Sequence, residues 1–305
     1  MNKVFILIGP TASGKSNLSI KLSKDFPFEI INADLYSIYE ELNIGTAKPC
    51  NEDLRSVKHH LINVIKPNKE YDVSKYCRDA KSCIDTIISR KKYPLIVGGS
   101  MMYIYQLLNG LSHEYNLIQS DRKLLNFIID TYSTKKIYKS IKSYNPGIVE
   151  KINENDKYRL EKLLERLISK QMTSHNFDGL YNDKSLDINI IFINIENRDH
   201  LRENIFKRTS KMLEKGFINE VKYLVSKYEL TQKSQSMKAI GYKEIVSYLL
   251  NETEKKDLLN LISISTQQLA KRQLTWKNKF NIDYYLSYPD LDYNLLCKFI
   301  SKSLH

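Results

Sequence analysis

Apolar positions along this 305-residue chain follow two rhythms: short unbroken runs, and longer stretches with a period of three to four residues. Residues 3–8, KVFILI, are almost wholly apolar and stop at Gly9-Pro10, which predicts a strand buried on both faces of a parallel sheet. FEIINAD (28–34), HHLINVI (59–65), YPLIVGGS (93–100) and LDINIIFINIE (186–196) read as further strands, HHLINVI with the weakest pattern. A helix is predicted from Lys15, turning Leu18, Ile20 and Leu22 to the sheet, and another over 74–90. This alternation predicts an α/β fold with a doubly wound parallel sheet. Between YPLIVGGS and LDINIIFINIE the pattern changes. Leu124, Leu125, Phe127, Ile128, Ile137, Tyr138 and Ile141 recur at helical spacing, as do Leu160, Leu163, Leu164, Leu167 and Ile168. The expected organisation is therefore a core, 1–112, a helical insertion, 113–185, and completion of the core by 186–305. That last part continues in helices through RDHLRENIFKRTSKMLEKGFINEVKYLV and LLNLISISTQQLAKRQLTWKNKF.

Charge narrows the partners. The formal net charge is +12, from 47 basic and 35 acidic residues, which suits a polyanion such as nucleic acid. Most of the cations are Lys, so the ten Arg, whose planar forks grip phosphate bidentately, carry more information. The four cysteines form no C-x-x-C pair and have no His at metal-ligand spacing, pointing to reduced thiols in a cytoplasmic protein. No apolar run approaches the roughly 18 residues of a membrane span, and no signal-peptide pattern opens the chain.

The chemistry should lie beyond the carboxyl ends of the strands, where ligands bind in open parallel sheets. The first strand runs into Gly9, Pro10, Thr11, Ala12, Ser13, Gly14, Lys15 and Ser16, a match to G-x-x-x-x-G-K-[ST] between a strand and a helix. Backbone N–H groups of such a P-loop nest a diphosphate, Lys15 adds a point charge and the Ser16 hydroxyl can ligate Mg²⁺. Taken alone, the loop fits an NTPase or kinase and does not say what the phosphates are attached to. The second strand leads to Asp34, which could hold Mg²⁺, act as a general base or cap a turn. Gly98-Gly99-Ser100 follows the YPLIVGGS strand and offers close backbone approach and a hydroxyl. The 186–196 strand is followed by Arg198, Asp199, Arg202 and Arg208. Adjacent strand residues face opposite ways, so of His59 and His60 one is expected buried and one exposed. Near the C-terminus, Lys271, Arg272, Lys277 and Lys279 interleave with Trp276 and Phe280, a pattern open to nucleic-acid binding or to an ordinary solvated helix.

Read together, GPTASGKS, NADLYSIYEELNIGTAKP, HHLINVI, YPLIVGGSMMY, KAIGYKE and STQQLAKRQLTW occur in an order that resembles the tRNA dimethylallyltransferase (tRNA isopentenyltransferase) family of bacterial type. The resemblance spans about residues 4–280. It implies a P-loop NTPase-like core with a helical insertion and a helical C-terminal region. It further implies transfer of the dimethylallyl group from dimethylallyl diphosphate to N6 of the adenosine 3′ of a tRNA anticodon. By that resemblance Asp34 is the base and Ser100 stands for the family's Thr. The P-loop, Arg202 and Arg208 hold the diphosphate, with Mg²⁺ on Ser16. The tRNA anticodon stem-loop meets Asp34, Leu35, Tyr36, Ser37, Ser100, Arg122, Arg159, Lys238, Gly241, Tyr242, Lys243, Lys271, Arg272, Gln273, Trp276 and Lys277. A monomer is the expectation.

Some positions depart from the family pattern. Leu35, Tyr36 and Ser37 replace Ser-x-Gln, Met101 replaces a Gly, and Asn204 stands where an Arg for the diphosphate is usual, with Arg202 as its expected substitute. Two alternatives keep the fold: an adenylate isopentenyltransferase acting on free nucleotide, and a tRNA-binding relative with weak catalysis.

Overall fold

In the computed structural model, which describes residues 1–111, 118–150, 152–169 and 177–304, the N-terminal apolar run forms β1 (Asn2–Ile8). Both alternating side-chain sets, Val4, Ile6 and Ile8 on one face and Phe5 and Leu7 on the other, are fully buried. There follow α1 (Lys15–Asp25), β2 (Phe28–Asn32), α2 (Asn51–Ser56), β3 (His59–His60), α3 (Val73–Ser89), β4 (Tyr93–Gly98) and α4 (Met101–Asn109). After α5 (Gln119–Thr131), α6 (Thr134–Tyr144), α7 (Pro146–Val149) and α8 (Lys157–Ile168) come β5 (Leu186–Ile195), α9 (Arg198–Glu214), α10 (Phe217–Tyr228), α11 (Tyr242–Leu249), α12 (Leu258–Trp276), β6 (Tyr284–Tyr288) and α13 (Tyr293–Leu304).

The six strands form one sheet in the order β3-β2-β4-β1-β5-β6, every neighbouring pair parallel. Ile6 of β1 lies opposite Ile96 of β4 and Ile190 of β5, so the central strands are apolar on both sides. One face packs on Leu18, Ile20 and Leu22 of α1 together with Leu201, Ile205, Leu296 and Ile300. Burying each such side chain is worth about 1.5–3 kcal/mol, which makes this sheet a stiff platform for the loops at its carboxyl edge.

Two strands differ from expectation. Within the sheet HHLINVI pairs only at His59 and His60, because Leu61 and Asn63 adopt positive φ (60° and 55°) and turn the chain away, and Ile65 makes an isolated parallel bridge to Tyr39. β6 was not expected; YYLSY is a short edge strand that mixes aromatic and polar residues and pairs with β5 on one side only. The helical stretch expected after β5 divides at Gly216 (φ +92°) into α9 and α10.

By contacts the chain divides into two units, 1–110 with 178–305, and 111–177. The expected start at 113 lies outside the described residues. Residues 178–185 belong to the first unit rather than the insertion, since Leu180 is buried there against α4. The second unit has its own core of Leu125, Ile137, Ile141, Val149, Leu160, Leu163 and Leu164. Ser133 caps α6 and Asp156 caps α8. Leu124, Phe127 and Leu167, expected in this core, are about half exposed (48%, 60% and 48%).

Candidate active site

Four parallel strands deliver their carboxyl ends to one edge, and a cleft of about 1240 Å³ opens there; the described residues that line it belong to the first unit. The loop after β1 enters α1 through Gly14 in the left-handed region (φ +83°), leaving Ser16 exposed in the first turn. Ser13 is fully buried and donates from Oγ to Pro10 O at 2.8 Å, which fixes the loop's curvature. Lys15 donates from Nζ to the same carbonyl at 2.6 Å. Burial and then the Arg208 guanidinium lower the Lys15 pKa to about 7, against the pull of Asp34. Arg208 donates to Thr11 Oγ1 at 3.4 Å; burial works against its charge while Asp34 supports it. Two crowded cations without a full counter-charge make a site ready for an anion.

Asp34 follows β2. Asn32 shapes the approach, accepting from Asp34 N at 3.1 Å and donating to Asp34 O at 3.0 Å and Leu61 O at 2.9 Å. Asp34 Oδ1 accepts from Tyr36 N at 2.9 Å and Ser37 N at 3.3 Å, so Asp34 does cap a turn. Oδ2 takes no hydrogen bond from the described residues and is available for chemistry. Burial, then Asp34, push the Tyr36 hydroxyl up to about 12, so the phenol stays neutral. From β4, Ser100 accepts through Oγ from Leu35 N at 2.9 Å, joining the two loops.

The IGTAKP run borders the same cleft, shaped by a residue that sequence reasoning missed. Glu220 of α10 accepts from Asn43 N at 3.1 Å, Ile44 N at 2.8 Å and Tyr242 OH at 2.6 Å. Gly45 is packed so tightly that a Cβ there would stand 2.1 Å from Phe217 and 2.4 Å from Tyr242. Gly241 and Tyr242 are buried in this support, so they shape the loop rather than face solvent. Lys48 donates to Tyr39 O and to Asn63 Oδ1 (2.5 Å), and burial lowers its pKa to about 8.

Arg202 does not replace the missing arginine: it is 61% exposed, paired with Asp199 at 2.7 Å and outside the cleft's lining. Successive helix residues turn by about 100°, so positions 202 and 204 of α9 face nearly opposite ways. From α9 the cleft is lined by Asn204, Lys207, Arg208, Lys211 and Met212, spaced as one helix face, with Lys215 just past its end, and that periodicity was a usable signal. Asn204 donates to Tyr288 OH.

On α12, Lys271 and Arg272 are exposed, Trp276 and Lys277 half-buried. Trp276 packs edge-to-face on Tyr105, and Lys279 lies over both rings. Gln273 is buried, and its carboxamide turns inward to the cleft's loops rather than outward. Lys238 and Lys243 are exposed, Lys243 beside Glu244 at 3.4 Å. In the second unit Arg122 is exposed, and Arg159 is 63% exposed with Asp156 at 3.5 Å. His59 and His60 are both half-buried: His60 pairs with buried Glu29 at 2.7 Å, and His59 Nδ1 lies 2.8 Å from Val57 O. The parallel pairing keeps both at the sheet's margin, so neither is fully exposed.

The sequence profile of the IPP transferase family matches residues 37–280. The tRNA dimethylallyltransferase of Caldanaerobacter subterraneus is 32% identical over 303 residues, covering 96% of each chain. That of Finegoldia magna is 37% identical over 284 residues, covering 90% of this chain and 87% of its own. A eukaryotic dimethylallyltransferase solved acting on tRNA superposes with a TM-score of 0.82 at 26% identity, over 99% of this chain and 79% of its own. The tRNA isopentenylpyrophosphate transferase of Bacillus halodurans gives 0.70 at 26% identity, over 100% and 96%. With a P-loop and a carboxylate at one sheet edge and this agreement along nearly the whole length, the chain belongs to the IPP transferase family, that of the tRNA dimethylallyltransferases.

Proposed function

We propose that this protein transfers the dimethylallyl group of dimethylallyl diphosphate to the exocyclic N6 of the adenosine 3′ of the anticodon in tRNA, releasing diphosphate. The observation that carries the reading is one cleft holding both a cationic diphosphate cradle and a carboxylate with a free oxygen. Lys15, Arg208 and the N–H groups at the start of α1 would hold the diphosphate. The allylic C–O bond breaks with its electron pair leaving on the diphosphate, and the cradle stabilises that charge. The N6–C bond forms as the N6 proton passes to Asp34 Oδ2, because the amine's lone pair is delocalised and its proton must be taken up. Ser100, bound to Leu35 N, holds the loop beside Asp34.

Mg²⁺ fits this donor set: the Ser16 hydroxyl lines the cleft, and a hard cation that shares diphosphate oxygens and water needs only one or two protein oxygens. When bound it would neutralise charge on the leaving diphosphate. The cleft exceeds the volume of about 300–1,000 Å³ usual for one small ligand, leaving room for a diphosphate ester and a base together.

Exposed Lys271, Arg272, Lys238 and Lys243, with Arg122 and Arg159 of the second unit, would grip the anticodon stem-loop through its phosphates. Leu35, Tyr36 and Ser37 would meet the target base and its neighbours. An adenine in a single-stranded loop leaves its stack for a few kcal/mol, so entry to the cleft is affordable on that scale. The reading needs one chain and a cytoplasmic setting, where unmodified tRNA is found. Among the described residues no helix is long and apolar enough to cross a membrane.

Purified protein given radiolabelled dimethylallyl diphosphate tests the reading. Label is expected in unmodified tRNA and not in AMP; label in AMP with tRNA untouched would favour the free-nucleotide reaction.

A further inference from the structure

Gln273 of α12 is 5% exposed, between residues Arg272 and Trp276 that are turned further out. A carboxamide this deep needs partners, and both belong to loops of the cleft. Its Oε1 accepts from Thr11 N at 2.7 Å, in the loop after β1, and its Nε2 donates to Gly99 O at 2.9 Å, in the loop after β4. The path continues, since the residue after Gly99 is Ser100, whose Oγ accepts from Leu35 N at 2.9 Å, and Leu35 follows Asp34. One hydrogen-bonded route therefore runs from the diphosphate cradle through Gln273 to the turn that carries Asp34. Gly99 admits the carboxamide: a Cβ there would stand 2.3 Å from Gln273 Nε2.

We infer that Gln273 is a positioning residue for the transfer, setting the distance between the cradle of the leaving diphosphate and the carboxylate that takes the proton. This rests on the reaction proposed above. Displacement at the allylic carbon needs the nitrogen, carbon and leaving oxygen in line, and a misplacement of about 1 Å lowers the rate about a hundredfold. The two groups stand in loops after separate strands: backbone bonding continues between the β2 and β4 loops, where Ser100 N donates to Ala33 O at 3.1 Å, but the pairing of β1 with β4 ends at Ile8 and Gly98, before the loop after β1. Gln273 spans the gap with one acceptor and one donor, a pair that an apolar side chain cannot supply.

The test compares Gln273→Ala, Gln273→Glu, Gly99→Ala and the double variant Gln273→Ala/Gly99→Ala with wild type. Gln273→Ala is expected to lower kcat about ten- to hundredfold, with affinity for an anticodon stem-loop RNA changed less than about twofold. Gly99→Ala lowers kcat in the wild-type background and adds little to Gln273→Ala, where the carboxamide it would strike is gone. Gln273→Glu sets an ionised oxygen against Gly99 O; its protonated form restores one donor and one acceptor. Its kcat relative to wild type therefore rises as pH falls, which a change in packing alone would not produce. A kcat for Gln273→Ala within twofold of wild type, a loss located wholly in RNA affinity, or a flat pH ratio for Gln273→Glu would overturn the inference. Binding of inorganic pyrophosphate is followed in parallel and is expected to weaken in Gln273→Ala as the Thr11 loop is released. A wild type that binds pyrophosphate but alkylates no tRNA sinks the reaction instead, and unchanged pyrophosphate affinity in Gln273→Ala would then count against Gln273.

Discussion

In the proposed mechanism Lys15 governs the pH dependence of diphosphate binding and Asp34 the turnover. The Lys15 pKa is lowered from 10.5 to about 7, by burial first and Arg208 second. A bound polyanion favours the ammonium form, so between the lowered value and the higher one in the complex, binding takes up a proton. Affinity for inorganic pyrophosphate should thus fall as pH rises above about 7, by up to about tenfold per unit, and be free of this effect below it. Lys15→Met, titrated in parallel, supplies the ligand's own ionisation; a wild-type affinity that rises with pH relative to that variant contradicts the assignment. Asp34→Asn keeps an acceptor for Tyr36 N and Ser37 N while removing the base. Single-turnover transfer should drop about 10²–10⁴-fold with tRNA affinity little altered, and a drop under tenfold would remove Asp34 from that role. The positions of Asp34 and Ser100 at the sheet's carboxyl edge were legible because each lies two residues past a strand. Gln273 was named only as a tRNA contact and Glu220 not at all, since the bonds they make go to partners 262 and 176 residues away in the chain.

Helices divide the labour among elements. α9 turns Asn204, Lys207, Arg208 and Lys211 to the cleft, whereas α12 turns Gln273 inward and leaves Lys271 and Arg272 at the surface. Arg272→Ala should weaken tRNA binding and reduce the slope of log affinity against log salt by about 0.7–0.9, as expected for one phosphate contact. An unchanged slope would place Arg272 away from the RNA. Unbroken apolar runs made β1, β4 and β5 readable, and a regular period did the same for α3 and α12. β6 escaped because Tyr284, Tyr285 and Ser287 dilute its apolar character at an edge. β3 stopped early because the positive φ values of Leu61 and Asn63 leave no mark on hydropathy. For Arg202 the phase of α9 was available in the sequence, and proximity along the chain misled.

At the scale of the molecule, a net charge of +12 gives an RNA partner long-range attraction, while the six-stranded sheet brings loops from four strands to one edge. The alternation of strands and helices anticipated a parallel sheet, though not its edge strand β6 or its strand order, and the change to helical spacing after β4 anticipated a helical unit. What a P-loop alone left open was the direction of the chemistry: the same cradle serves a phosphoryl group in transit or a diphosphate in departure. Asp34 beside the cradle favours departure, with the alkyl group moving to an amine that gives up its proton. Mass spectrometry of tRNA nucleosides, from cells with the gene, without it, and complemented with Asp34→Asn, tests this most directly. The account predicts N6-isopentenyladenosine or its derivatives in tRNA of the first and their loss from the other two; undiminished modification in cells lacking the gene would contradict it.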